Sequence, residues 1–449
     1  MKIALLAMSG VRVKSDELRA LGVSLPGFLE RGQVIASLPS LGLLTLGGCT
    51  EEDVELGYFE HGDIQPEELV SRGFDLVAVS TFTAQALEAY EFTDRCRALG
   101  LPVAMGGLHV SMLPDEARDH ADHVLLGDGE IVWPELLSDL RRGSARPLYD
   151  GRGRDFPLEK APLPRYDLLD PERYNRITLQ TTRSCPHACT FCASGVLLRG
   201  AYRKKPLDLV RRDLDAITSI WPRPFIELAD DNTFVDKEWG KELLRAFLPY
   251  GLRWFTETDI SVAEDEELLD LLRESGCRQV LIGLEDVDSR VVAELEDRPF
   301  KAGRVETAAR AIRKIQEHGV SVNGCFVLGA DHQDGATFRR IARFARDTGL
   351  AEVQVTLLTP FPGTPLRRRL AAEGRLLPGV DWGHYTLFDA TFQPRLLTVR
   401  ELEEGLAWLF QELYSAERVR ERRRAFYSQS RQGARRRKRN GAKGILRTG

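Results

Sequence analysis

Residues 177–192 read ITLQTTRSCPHACTFC: a short apolar run, two threonines, and then Cys185, Cys189 and Cys192, separated by three and by two residues. An apolar run of this length, rich in β-branched residues, reads as a strand, and the cysteines follow it at once. Working downstream, similar runs recur at 225–229, 253–256, 279–283, 321–328 and 352–358. Segments with helical spacing fill the gaps at 207–220, 237–248, 265–274, 304–318 and 336–347. Six strands with helices between them indicate an open, partial (β/α)6 form of the TIM-type barrel. In such barrels the chemistry collects in the loops after the strands, so the cysteine loop stands where a site is expected.

Working upstream, short apolar runs at 2–7, 74–80, 102–105 and 124–126 alternate with amphipathic segments such as 84–99. That alternation predicts a Rossmann-like parallel sheet covered by helices on both faces, an α/β domain of its own. Ligands of such sheets lie at the carboxyl ends of the strands, which is where Ser80, Thr81, Gly106 and Gly107 fall. Residues 146–173 are rich in proline, glycine and charge and read as an ordered linker. The expected division is therefore 1–145 Rossmann-like, 146–173 linker, 174–365 partial barrel, and 366–449 a helical C-terminal extension. The extension turns strongly basic at Arg435-Arg436-Arg437-Lys438-Arg439, a run expected as a solvated or disordered tail.

Composition narrows the function classes. With 43% hydrophobic and 29% charged residues the 449-residue chain is of the globular type. A net charge of −5 speaks against a nucleic-acid partner. No apolar run approaches the roughly 20 residues of a membrane span, the N-terminus reads as a buried strand rather than a signal, and no membrane partner is expected. Seven cysteines, three of them in one loop, point to a cytoplasmic metal site rather than a disulfide framework.

Three thiolates suit a four-iron cluster, because soft ligands hold three corners and one iron stays open. The open corner can chelate the amine and carboxylate of S-adenosylmethionine (SAM). Two other readings stand beside this one. A structural zinc would need a fourth ligand, from His187, Cys277 or Cys325, or the thiols are incidental.

The segments LPSLGLLTLGG at 38–48, VAMGGLHVSMLPDEA at 103–117, GDGE at 127–130, TTRSCPHACTFCAS at 181–194, LADDNTF at 228–234, LIGLED at 281–286 and LLTPFPGTPL at 357–366 occur in this order. Together they resemble the radical SAM superfamily, in the subclass with an N-terminal cobalamin-binding-type domain. The resemblance implies a [4Fe-4S] cluster on Cys185, Cys189 and Cys192, with Phe191 as the aromatic before the last cysteine. It implies SAM contacts from Asp230 and Asp231 (amino group), Glu285 (ribose), and Gly324 and Gly329 (adenosine). Glu257 and Thr258 are further rim candidates, and no catalytic residue is assigned. It also implies cobalamin beside Ser80, Gly106 and Gly107, an electron donor such as flavodoxin or ferredoxin, and a small-molecule substrate methylated at carbon. The Asp-x-His-x-x-Gly loop that supplies a histidine to cobalt in many cobalamin domains is absent. Two alternatives follow: a cobalamin-free enzyme moving another SAM fragment, such as the 3-amino-3-carboxypropyl group, or a non-catalytic zinc- or cobalamin-binding module.

Overall fold

Strand β1 (Lys2–Ala7) buries five consecutive residues, as a strand covered on both faces must. It is the second strand of a six-stranded sheet in a computed structural model that describes residues 1–8, 14, 16, 18, 38–197 and 201–445. The other strands are β2 (Glu55–Glu60), β3 (Leu76–Ser80), β4 (Val103–Gly106), β5 (His123–Leu126) and β6 (Leu148–Asp150). All are parallel, in the order β2-β1-β3-β4-β5-β6. That is a doubly wound arrangement whose order reverses between β1 and β3, the place where such folds hold a ligand. One layer of helices packs Ala86, Ala89, Phe92 and Val110 on one face, and another packs Leu43, Trp133 and Leu136 on the other.

The second sheet runs β7 (Ile177–Leu179), β10 (Phe225–Leu228), β11 (Arg253–Thr258), β12 (Cys277–Glu285), β13 (Ser321–Leu328) and β14 (Glu352–Leu357). Each strand is parallel to the next, and β7 does not close onto β14. The two short strands β8 (Thr182–Arg183) and β9 (Arg203–Lys204) form an antiparallel ribbon beside the cysteine loop. Side chains alternate along each barrel strand. Ile226, Leu228, Trp254, Val280, Ile282, Val322 and Val353 face the outer helices in one core. Thr178, Glu227 and Phe255 are aligned in register, and with Glu257 and Asn323 they face the lumen. The lumen is therefore polar, unlike the packed apolar interior of a closed barrel.

Two strands lie where the sequence reads otherwise. β2 is an edge strand with a mixed, half-buried pattern. β6 is three residues long and sits inside the proline- and glycine-rich stretch. The basic run at 435–439 is not a loose tail: it belongs to a helix, Ala416–Ile445. Residues 446–449 of the extension lie outside the described residues, as does most of 9–37.

Candidate active site

The cysteine loop is pinned at every turn. Asp230, at the end of the second barrel strand, accepts the backbone N–H of Thr181 at 2.7 Å and of Thr182 at 2.9 Å, as well as both threonine hydroxyls of Thr181 and Thr233. Its oxygens are thus engaged in latching the first strand to the second. Asp231 accepts from the Ser184 backbone and the Ser194 side chain, so it brackets the loop just before Cys185 and just after Cys192. Ser184 is buried with φ of 77°, a left-handed conformation that a serine holds only when its surroundings over-determine it. Thr190 donates to Leu295 O at 2.9 Å and accepts from Leu366 N–H at 3.0 Å, while Asp297 N–H reaches Ala188 O. Phe191 packs against an apolar cluster that includes Leu295, Leu358, Leu366 and Phe392. The aromatic before the last cysteine is therefore an anchor for the loop.

This frame suits a cluster. All three cysteines are free and half-buried. Backbone N–H groups of His187 point at the Cys185 sulfur, and those of Ser194 and Gly195 at the Cys192 sulfur. Hydrogen bonds of this kind stabilise and tune iron-bound thiolates. As free thiols all three are pushed up by burial, Cys189 to about 12, so only a ligated metal would hold them as thiolates near neutral pH. Among the described residues no group of three or more His, Cys, Asp or Glu side chains is gathered around one ion position. Cys277 and Cys325, the alternative fourth ligands, lie in barrel strands β12 and β13. Cys277 is buried and its thiol donates to Gln279 O.

Beside the thiols lies a group that sequence reading missed. Half-buried Lys301 is ion-paired with Glu285 at 2.5 Å and sits close enough to Cys189 to feel its charge. Glu285 itself adopts φ of 63°. A Cβ at Gly283 would meet both the Glu285 carboxylate and the Lys301 ammonium, so the glycine makes room for the pair. The pairing occupies Glu285 Oε1 and leaves Oε2 without a hydrogen bond from a described residue. His187 stacks near Phe300 and meets Asp259, which also accepts from Asn232 at 2.9 Å. Thr258 donates to Asn232, and Asn232 reaches toward Cys185. Glu257 faces the lumen without a hydrogen bond to its carboxylate from a described residue. Gly324 and Gly329 are used differently from the other expected contacts: added Cβ atoms would strike Leu284 and Leu350 in the first case and Phe392 in the second. Their immediate role is close packing of hydrocarbon.

On the other domain, Ser80 and Gly107 line a cavity of about 700 Å³ with Ala7, Ser111, Gly127 and Gly151, whose far wall is Thr178, Glu227 and Ala229 of the barrel. Gly106 ends β4 opposite Ser80 and is not part of the lining. Gly107 has φ of 105°, and a Cβ there would stand 2.7 Å from Thr81 O. A glycine wall at the strand ends gives a flat ring system close access to backbone, which fits cobalamin. No histidine occurs among the described lining residues, in keeping with the missing histidine loop. The GDGE segment docks the two domains: Arg183, two residues before Cys185, donates to Glu130 at 2.6 Å and pairs with Asp128, which also holds Arg203. That motif was visible in the sequence; its partner was not, since nothing local marks Arg183.

Comparison with known proteins agrees with this geometry. The radical SAM superfamily profile matches residues 179–345, and a domain of unknown function (DUF4070) matches 364–447. The bacteriochlorophyllide d C-12(1)-methyltransferase of Chlorobaculum tepidum is 27% identical over 80% of this chain and 79% of its own length. The uncharacterized methyltransferase sll1242 of Synechocystis sp. is 31% identical over 76% and 64%. Among solved structures, the radical SAM methyltransferase TsrM from Kitasatospora setae, with cobalamin and a [4Fe-4S] cluster bound, superposes with a TM-score of 0.66 at 17% identity. That likeness covers 93% of this chain and 89% of TsrM, and it extends through both sheets and the C-terminal helices. With the cysteine loop and the partial barrel in place, the chain is a radical SAM protein over residues 179–345, and its Rossmann-like sheet completes the fold that it shares with the cobalamin-bound TsrM.

Proposed function

We propose that this enzyme methylates a carbon atom of a small molecule, using SAM, a [4Fe-4S] cluster on Cys185, Cys189 and Cys192, and cobalamin held by the N-terminal sheet. The observation that carries the reading is the single cavity running from Ser80 and Gly107 to the barrel wall at Thr178 and Glu227. It gives one space to a cofactor on the first sheet and a substrate at the barrel mouth. Relatives named as methyltransferases of bacteriochlorophyllide d and of hopanoids support the class of reaction. When bound, these groups would supply a one-electron reduction of the SAM sulfonium and a carrier for the methyl group.

The chain's own residues hold and shield. Asp231, through Ser184 and Ser194, fixes the loop that presents the thiols. Glu285, steadied by Lys301, offers its free oxygen to a diol such as ribose. Glu227, paired with Arg176, and Glu257 face the lumen, where they can take hydrogen bonds from a substrate. Docking of Asp128 and Glu130 onto Arg183 holds the first domain against the cysteine loop. An external one-electron donor such as flavodoxin or ferredoxin, and a cytoplasmic setting, belong to the same proposal.

The test is anaerobic reconstitution with iron, sulfide and hydroxocobalamin, then incubation with methyl-deuterated SAM and a cell extract. A product heavier by the labelled methyl group supports the reading. Consumption of SAM with transfer of its 3-amino-3-carboxypropyl group, by protein free of cobalamin, would replace it with the cobalamin-free alternative.

A further inference from the structure

The helix Ala416–Ile445 has two unlike faces. One is locked onto the barrel's outer helices. Buried Arg422 donates to Leu413 O, and Gln429 reaches Thr348 O at 3.1 Å and accepts from Gln316. Arg437 donates to Glu317 O, and at Gly433 a Cβ would stand 2.0 Å from that same carbonyl. The opposite face carries Arg420, Arg424, Arg431, Arg435 and Lys438, all exposed, none ion-paired with a described residue. At about 100° per residue these five fall within about 60° of one another around the axis. At about 1.5 Å per residue the row is roughly 27 Å long. Tyr427, 58% exposed, stands in the middle of it. Two acids border the row near its N-terminal end, Glu417 and Glu421, and Glu421 is paired with Arg418 on another line of the helix.

Five unpaired cations in line, in a chain of net charge −5, form a local surface for a polyanion. We propose that this face rests on an anionic phospholipid surface, so that the enzyme is a peripheral membrane protein held by its C-terminal helix. A straight row on the outermost line of a docked helix meets a plane along its whole length. A nucleic-acid duplex carries its phosphates on curved strands and would need cations on both sides of a groove; a single strand would want several stacking rings, and Tyr427 stands alone. An aromatic ring with a polar tip, level with arginines, suits the headgroup region. Because the apolar side of the helix is committed to the barrel, contact is electrostatic and shallow. No helix among the described residues is long and apolar enough to cross a membrane, so the arrangement is one of contact from outside.

Sedimentation of the full-length protein with vesicles tests this. Equal parts phosphatidylglycerol and phosphatidylcholine should pull down the protein at low salt, pure phosphatidylcholine should not, and added salt should release it. Each cation near such a surface contributes about fivefold in partitioning, so Arg424→Gln with Arg431→Gln should weaken binding ~30-fold. The variant should keep the wild-type Tm and iron content, since both side chains are exposed. Arg436→Gln, on the side facing Glu317, should change binding little. Equal binding to both vesicle types, no binding to either, or unchanged binding by the double variant overturns the proposal. So does a short RNA that binds more tightly than the anionic vesicles at equal salt and loses affinity in the same variant; the row would then be a nucleic-acid surface.

Discussion

Cys189 is the thiol in closest electrostatic company, with Lys301, Glu285 and Glu296 around it. Changing it to Ala removes one corner ligand from a loop that is otherwise held by backbone contacts. The loop should therefore survive while the iron does not: reconstituted Cys189→Ala should retain the wild-type Tm within a few degrees, hold less than half the wild-type iron, and cleave no SAM. Cys277→Ala is the opposite case. Its thiol fills apolar space in β12, so the change should cost about 1–3 kcal/mol of stability and leave iron content intact.

Glu257 carries a pH signature. Glu257 is open to the lumen, yet the surrounding barrel wall desolvates its carboxyl and pushes it up to about 7, and the charges of Glu227 and Asp231 add to the rise. The ordinary value is 4.5, so the folded protein resists ionising a group that the unfolded chain ionises freely. The associated stability is complete below about pH 4.5 and is lost as pH rises through about 7. Glu257→Gln should then raise the stability of the ligand-free protein near pH 8 by an amount of order 1 kcal/mol, after screening by water in the open lumen. The gap should close as pH falls below 7. Thermal melts of the two proteins across that range check the sign; a gap that widens on acidification would refute it.

At the scale of elements, the end of β4 is where the proposed cobalamin site is most easily closed. Gly107 is left-handed and backed by Thr81 O, so no side chain fits there without moving the loop after β3. Gly107→Leu should abolish cobalamin binding, read from the absorbance of reconstituted protein, while iron per chain stays near wild type. The barrel elements were legible from their apolar runs because each strand is buried on its outer face by a helix of clear period. β2 and β6 were not. Glu55–Glu60 is an edge strand with little burial to pattern it, and Leu148–Asp150 is too short for any period and lies among proline and glycine. Within the site, the cysteines announced themselves by spacing. Lys301 and Arg183 did not, because a buried ion pair joins residues far apart in the chain and leaves no local mark. Asp230 was legible as a candidate contact, whereas its hold on Thr181 and Thr182 was not.

At the scale of the whole molecule, the two domains share a buried ionic joint at Asp128, Glu130, Arg183 and Arg203. Truncating one partner strands the others. Glu130→Ala should cost about 3 kcal/mol. It should also make residues 146–173 more open to limited proteolysis and lower iron retention, because Arg183 leads directly into Cys185. Proteolysis at the wild-type rate would show that the joint does not hold the domains together.

The anchoring of the cysteine loop also sets a timetable for the newborn chain. Thr190 is tied to Leu295 on one side and to Leu366 on the other, and Leu366 leaves the ribosome roughly 170 residues after Cys192. At about 5–20 residues per second that is a delay of roughly 10–30 s, during which the three thiols are synthesised but their loop lacks its last anchor. Iron–sulfur assembly on this protein is therefore a late event of its biogenesis. Nascent chains arrested before Leu366 should emerge unable to retain a cluster that the finished chain keeps.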